Sequence, residues 1–259
     1  MSTERQCEHE RSPRCTRAGP RDVRLAGAQA LAGCDRAVQN GRIDGVLRSA
    51  EKLTLGSQRL ILDHQPLAME YGVRDMSPVF RPNGSTMPDS REYAALLQNK
   101  FVDYRLQVDG LVQRPQSLSL AQLRTMKTRS QITRHDCVEG WSAIGQWQGV
   151  PLGQVLDLAG LRPAARYVIF HCADALEKTL DGSGQYYESI DLLDAYHPQT
   201  ILAYGMNGKD LQVPRVERQL GYKHAKYVMR VEVADAFSHL AGGHGGFWDD
   251  RGYEWYAGI

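Results

Sequence analysis

Alternating apolar and polar side chains mark the most regular stretches of the chain. Val102, Tyr104, Leu106 and Val108 alternate with Asp103, Arg105 and Gln107, which predicts a half-buried strand closed by the tight turn Asp109-Gly110. Residues 131–135 predict a second strand, with Cys137 just past its end. Residues 167–170 form a short apolar strand leading to His171 and Cys172, and residues 201–206 form another, with Asn207-Gly208 closing a hairpin. A late strand is predicted where Tyr227, Met229, Val231 and Val233 alternate with Val228, Arg230 and Glu232. Helical spacing appears in Leu120, Leu123 and Met126 behind the N-cap Ser119. It appears again in Leu152, Val155, Leu156 and Ala159, stopped by Gly160. Residues 37–62 carry Leu, Arg and Ser at looser helical spacing and read as a surface or linker helix.

Between these elements lie stretches that the pattern assigns to loops. Residues 74–88 are rich in Pro, Gly, Asn and Ser and predict a long loop of the kind that often binds ligands. Residues 141–150 follow Gly140, contain Gly145 and Gly149, and read as a packed loop anchored by Trp141 and Trp147. Residues 181–185 form a glycine-rich turn. Residues 242–251 are too rich in glycine for a stable element, and the aromatics of 253–259 are expected to dock on the domain. Residues 1–20 are polar and lack apolar periodicity, which predicts disorder.

Composition narrows the class without naming it. The chain has 259 residues, 42% hydrophobic and 24% charged, as expected of a globular protein. A formal net charge of +1 gives no bias toward nucleic acid or anionic lipid, and no apolar run is long enough to span a membrane. The five cysteines, Cys7, Cys15, Cys34, Cys137 and Cys172, form no CxxC pair, which argues against a zinc knuckle and against a disulfide framework. Leu25 to Cys34 is a short apolar stretch after basic residues, as in an export signal, and Leu31-Ala32-Gly33-Cys34 has the form of a lipobox. Its core is broken by Gln29, and Arg21-Asp22-Val23-Arg24 lacks adjacent arginines.

The densest chemistry lies in Ile132-Thr133-Arg134-His135-Asp136-Cys137-Val138-Glu139-Gly140-Trp141-Ser142. A thiol beside Arg134 and His135 should have its thiolate favoured, and a thiolate is a ligand for soft metals. Read alone, the segment equally describes a half-buried cysteine at a strand end.

This segment resembles the cysteine-ligand segment of the sulfite-oxidase-type molybdopterin enzymes, and most of all the bacterial branch with the protein-methionine-sulfoxide reductase catalytic subunit. The resemblance runs over residues 77–259 and returns in Tyr186-Tyr187-Glu188-Ser189-Ile190-Asp191, in residues 197–204 and in Gly221-Tyr222-Lys223-His224-Ala225-Lys226-Tyr227. It implies an α+β fold with mixed sheets and short helices. It also implies a division into a leader (1–34), a linker and surface helix (35–76) and a molybdopterin-binding oxidoreductase domain (77–259). The implied cofactor is molybdenum–molybdopterin, with Cys137 as the protein's sulfur ligand to the metal. Asn83 and Cys172 would sit near the cofactor, and Lys223, His224, Ala225 and Lys226 on its phosphate side, Lys226 foremost. Glu139 would relay protons, and Tyr187 would donate to a substrate oxygen.

The implied activity is oxygen-atom transfer, reducing a sulfoxide of the methionine sulfoxide type. The alternatives are a sulfite dehydrogenase of the same fold and a cofactor-free relative that only binds a partner. No CxxCH haem motif occurs, so electrons would come from an external haem- or quinone-linked partner. The resemblance places the protein in the periplasm, with a lipid anchor on Cys34 if the lipobox is used. Three departures stand out. A cofactor-wrapping segment is missing after Pro214, where Arg215 partly substitutes; Gly205 stands where an acidic residue is common; and Ala143 replaces a cysteine.

Overall fold

The structure is a computed structural model that describes residues 67–178, 184–218 and 221–256, together with helical positions 46, 49–50, 53–57 and 60. The chain divides into two compact units, Met1–Thr54 and Leu55–Ile259. In the first, only a few positions of the expected 37–62 helix are described; they are helical, and Val46 and Leu53 are exposed. The expected leader, with Cys7, Cys15 and Cys34, lies outside the described residues. Everything below belongs to the second unit.

Among the residues described from 67 on, nine strands and four short α-helices build it: α1 (Arg91–Gln98), β1 (Leu106–Gly110), β2 (Gln116–Leu118), α2 (Leu120–Thr125), β3 (Arg129–Asp136), β4 (Ser142–Pro151), α3 (Leu152–Ala159), β5 (Tyr167–Ala175), β6 (Gln185–Asp191), α4 (Leu192–Ala195), β7 (Ile201–Met206), β8 (Lys209–Glu217) and β9 (Val228–Ala234). They form two sheets, ordered β2-β1-β9-β5-β6 and β3-β4-β7-β8. Among the described strand pairs, only β1–β9 is parallel. The first sheet is mixed, and the helices are short. Its strands supply the main core, Leu106, Val108, Val168, Phe170, Ile190, Val231 and Val233, and α3 covers it with Leu152, Val155, Leu156 and Ala159. Burial of such side chains contributes about 1.5–3 kcal/mol each.

Local chemistry explains most boundaries. Ser119 Oγ accepts from Gln122 N–H at 3.2 Å while the Gln122 side chain accepts from Ser119 N–H at 2.8 Å, a reciprocal cap that starts α2. Asn207 and Gly208 both have positive φ, 49° and 73°, as a two-residue hairpin turn with right-handed twist requires.

The structure also corrects the pattern reading. The first strand starts at Leu106, because residues 101–103 form a turn after α1, a helix the pattern did not mark. The strand at 167 runs on to Ala175, so His171 and Cys172 lie inside it. The last strand starts at Val228, since Tyr227 has φ 57°. Of the 181–185 turn, residues 181–183 lie outside the described residues and Gln185 opens β6.

The largest correction concerns residues 141–150, which are the ten-residue strand β4 rather than a loop. The glycines there mark close approaches, not turns. A Cβ on Gly149 would collide with the Leu202 carbonyl oxygen, and one on Gly145 would meet the Phe80 ring at 3.0 Å. Gly149→Ala should therefore cost about 2–3 kcal/mol in denaturant unfolding, since the clash is with backbone. Gly140→Ala, in open space but at φ 80°, should cost about 1 kcal/mol.

Candidate active site

β3 and β4 pair in register from Arg129↔Gly149 to Asp136↔Ser142. The chain must reverse within the next few residues, and Cys137 opens that turn. Its N–H donates to the Trp141 carbonyl at 2.9 Å, and Gly140 N–H donates to the Cys137 carbonyl at 2.9 Å. Gly140 takes the left-handed conformation that such a turn needs. The inward phase of β3, Gln131, Thr133 and His135, thus continues to Cys137, which is buried.

Cys137 lies on a cavity of about 460 Å³ whose walls come from both sheets. The loop before α1 gives Phe80, Asn83 and Ser85. The β3–β4 hairpin gives His135, Cys137 and Trp141. β8 gives Leu211, Val213 and Arg215, and the segment before β9 gives Tyr222, His224 and Lys226. Asp174, Tyr186, Met206 and Trp248 complete much of the lining. In the β7–β8 ladder Ala203 pairs with Arg215 and Gly205 with Asp210, so Leu211, Gln212, Val213 and Pro214 face Tyr204 alone. This short excursion forms the wall where the resemblance marks a missing segment.

Asn83 Nδ2 donates to Cys137 Sγ at 2.8 Å, and the Glu139 backbone N–H lies 3.5 Å from the same sulfur. Burial nevertheless raises the Cys137 pKa above its ordinary value and outweighs these donors and Arg215. The shift runs against the favoured thiolate expected from the sequence. Arg134 does not offset the burial, because it points outward and pairs with Asp136 at 2.8 Å. It does not pair with Glu139 either, whose carboxylate accepts from Trp141 Nε1 at 3.0 Å.

Lys226 Nζ donates to the carbonyl oxygens of Asn83 and Ser85 and lies 3.2 Å from Asp174 Oδ2. Burial lowers its pKa, and Asp174 opposes the shift. Ser85 Oγ donates to Asp174 Oδ1 at 2.5 Å. Arg215 stacks on Trp147, 4.6 Å from the ring centroid, and reaches Glu217 at 3.2 Å. Arg215 Nε and His224 Nε2 are buried without a hydrogen-bond partner.

Of the residues expected from the sequence, Asn83, Cys137, His224 and Lys226 line the cavity; Glu139, Cys172, Tyr187, Lys223 and Ala225 do not. Cys172 is buried in the core, and its thiol pKa is pushed well up by burial; both Cys137 and Cys172 are free thiols. Ala225 is buried and exchanges backbone hydrogen bonds with Val216. Tyr187 donates to Asp250, and its neighbour Tyr186 takes the wall position. Lys223 binds Glu188 at 2.5 Å and Asp249 at 2.7 Å, deep in the protein. That ion cluster, with Tyr222 OH on Asp249 at 3.0 Å and Trp255 Nε1 on Ser189 Oγ at 2.8 Å, docks the C-terminal segment, which supplies Trp248 to the wall. The sequence reading did not single out Asp174 or Glu217 as functional. Both are acids inside strands, with no motif around them to mark them.

Comparison with known proteins accounts for this construction. Residues 94–240 match the oxidoreductase molybdopterin binding domain. The chain is 33% identical over 246 residues to the putative protein-methionine-sulfoxide reductase subunit YedZ1 of Azospira oryzae, covering 92% of this chain and 85% of that protein. It is 31% identical over 156 residues to the protein-methionine-sulfoxide reductase catalytic subunit MsrP of Xanthomonas campestris pv. campestris, covering 55% of this chain and 48% of that one. With MsrP of Campylobacter jejuni the figures are 28% over 207 residues, 73% and 69%. The sulfane dehydrogenase SoxCD from Paracoccus pantotrophus aligns with a TM-score of 0.44 at 21% identity, over 51% of this chain and 38% of that one. The chain belongs to the oxidoreductase molybdopterin-binding domain family, with a fold of the sulfite-oxidase type. It is a molybdenum cofactor-dependent oxidoreductase.

The residues present fit that cofactor. A free thiol meets the need of a soft metal, Arg215 and Lys226 offset anionic charge, and the unpartnered nitrogens of Arg215 and His224 offer donors to pterin or phosphate oxygens.

Two outcomes test these electrostatics. In cofactor-free protein the alkylation rate of Cys137 should climb as pH rises through and beyond 9.0, the ordinary thiol value. Asn83→Ala should slow it further at any fixed pH, because the sulfur loses a donor. The second outcome concerns Glu188, whose pKa burial raises from 4.5 to about 7. A carboxyl raised on folding adds stability below its unfolded value and loses it as pH climbs through the folded one. Unfolding free energy should therefore fall between pH 4.5 and about 7, and Glu188→Gln should flatten that fall.

Proposed function

We propose that the chain reduces a sulfoxide, of the methionine sulfoxide type, with Cys137 as the protein ligand of the molybdenum cofactor. The observation that carries this reading is the free thiol of Cys137 on a cavity whose near walls are Phe80 and Trp141, ring centroids 5.8 Å apart edge to face. When bound, the cofactor supplies two-electron oxygen-atom transfer. Overall, the sulfoxide sulfur gains two electrons from an external donor, and its oxygen leaves as water with two protons.

The chain's own groups provide position and charge. Asn83 orients the sulfur through its 2.8 Å hydrogen bond, and Lys226 holds the loop that carries Asn83. Phe80, Trp141 and Met206 offer an apolar surface to a thioether side chain and keep water from it. Arg215, which acts on Cys137 electrostatically, balances negative charge at the cofactor. The relatives named as methionine-sulfoxide reductases support the substrate class. Glu139 and Tyr187, which do not line the cavity, have no part in this account.

Arg215 also favours a second reading. A cation on the wall suits an anionic substrate, which is the sulfite dehydrogenase alternative. The two separate in one assay on molybdenum-loaded protein: methionine sulfoxide with a reduced dye as electron donor, against sulfite with an oxidised dye as acceptor. Turnover of methionine sulfoxide in excess of sulfite is expected. Cys137→Ala should lower it by at least about a thousandfold and abolish the sulfur-to-metal charge-transfer band. Sulfite turnover alone would reverse the assignment. Loaded protein inactive on both, or protein that takes up no molybdenum, would remove it.

A further inference from the structure

His135, Glu217 and His224 come from β3, the end of β8 and the segment before β9, and they meet at the cavity wall, with Glu217 behind the two histidines. Their ligand-capable atoms lie within 4.8 Å of one another. His135 Nδ1 is 2.9 Å from Glu217 Oε1, and His224 Nδ1 is 3.6 Å from Glu217 Oε2. All three side chains are buried. Two imidazoles and one carboxylate gathered this closely are a donor set for a divalent transition metal.

The contact between His224 and Glu217 has an unusual feature. His224 Nδ1 accepts from the Arg218 backbone N–H at 3.4 Å, so its lone pair is on Nδ1, the atom that faces the carboxylate. Glu217 Oε2 is itself buried with no hydrogen-bond partner. Two acceptors thus face each other with no proton between them, an arrangement that a cation relieves. Arg215 supplies part of that charge from 3.2 Å without forming a hydrogen bond to Oε2. Its guanidinium is also held on the Trp147 ring, so it can stay there when another cation takes the oxygen.

We propose that His135, Glu217 and His224 bind a divalent transition-metal ion of the zinc class, separate from the molybdenum held by Cys137. Both histidines line the cavity, so the cluster borders it.

Cobalt(II) reports the site, because its visible bands disclose both binding and ligand type. Tag-free, full-length protein without molybdenum is titrated with Co²⁺ alone. The proposal expects visible d–d bands that saturate at one ion per chain, with no sulfur-to-cobalt band in the near ultraviolet. Cys137→Ser should leave them unchanged. Glu217→Gln and His224→Gln, each checked for folding by circular dichroism, should lose affinity by at least about tenfold. Two variants are made because removing a buried carboxylate can unfold the chain; the wild-type and Cys137→Ser spectra decide even if neither folds. The proposal fails if no bands appear at millimolar cobalt. It also fails if the bands carry a sulfur component and vanish in Cys137→Ser, or if they persist unchanged in a folded Glu217 or His224 variant. No readout involves molybdenum or a sulfoxide, so this test and that of the proposed function succeed or fail separately.

Discussion

One half-buried ammonium joins the parts of the site. Lys226, from the segment before β9, donates to the backbone of the loop that carries Asn83 and Ser85 and sits against Asp174 on β5. Through it a segment with little regular structure is fixed to the core sheet. Asn83 is thereby fixed against the sulfur of Cys137, which the other sheet delivers. Without that cation two loop carbonyls would lose this donor and Asp174 would keep only the Ser85 hydroxyl, so the loop would be held less firmly. The cost of partly desolvating the amine is visible in its lowered pKa; Asp174 and two carbonyls offset it.

The remainder of the site follows from strand geometry. A hairpin of fixed register decides which face Cys137 shares, and it is the face of His135. β8 then brings Arg215 and Glu217 alongside at two-residue spacing, one on the cavity and one behind it. A single buried carboxylate is approached by Arg215, His135 and His224. Glu217 thereby holds the cavity-lining Arg215 in place.

Much of this could be read from the chain. The caps at Ser119 and Gly160 and the turn at Asn207-Gly208 are local, and local chemistry decided them. Cys137 stood out because its neighbours form a recognisable segment. What could not be read depends on the third dimension. Gly145 and Gly149 resemble breakers in a string of letters, yet in β4 they admit Phe80 and the Leu202 backbone. Lys223 and Lys226 lie three residues apart in one motif, but one is consumed by Glu188 and Asp249 while the other faces the cavity. Tyr186 and Tyr187 exchange expected places for a similar reason, since neighbours on a strand point to opposite faces. Charge beside a thiol also misled: Arg134 is adjacent in sequence and turned outward in space.

The segment 248–255 ties the cavity to an ion pair that lies off it. Trp248 forms part of the cavity wall, Asp249 is the buried counter-ion of Lys223, and Trp255 closes on Ser189. One side of the chamber is thus held by an electrostatic latch with no atom in the chamber, so a change that loosens the latch reaches the cofactor's seat without touching it.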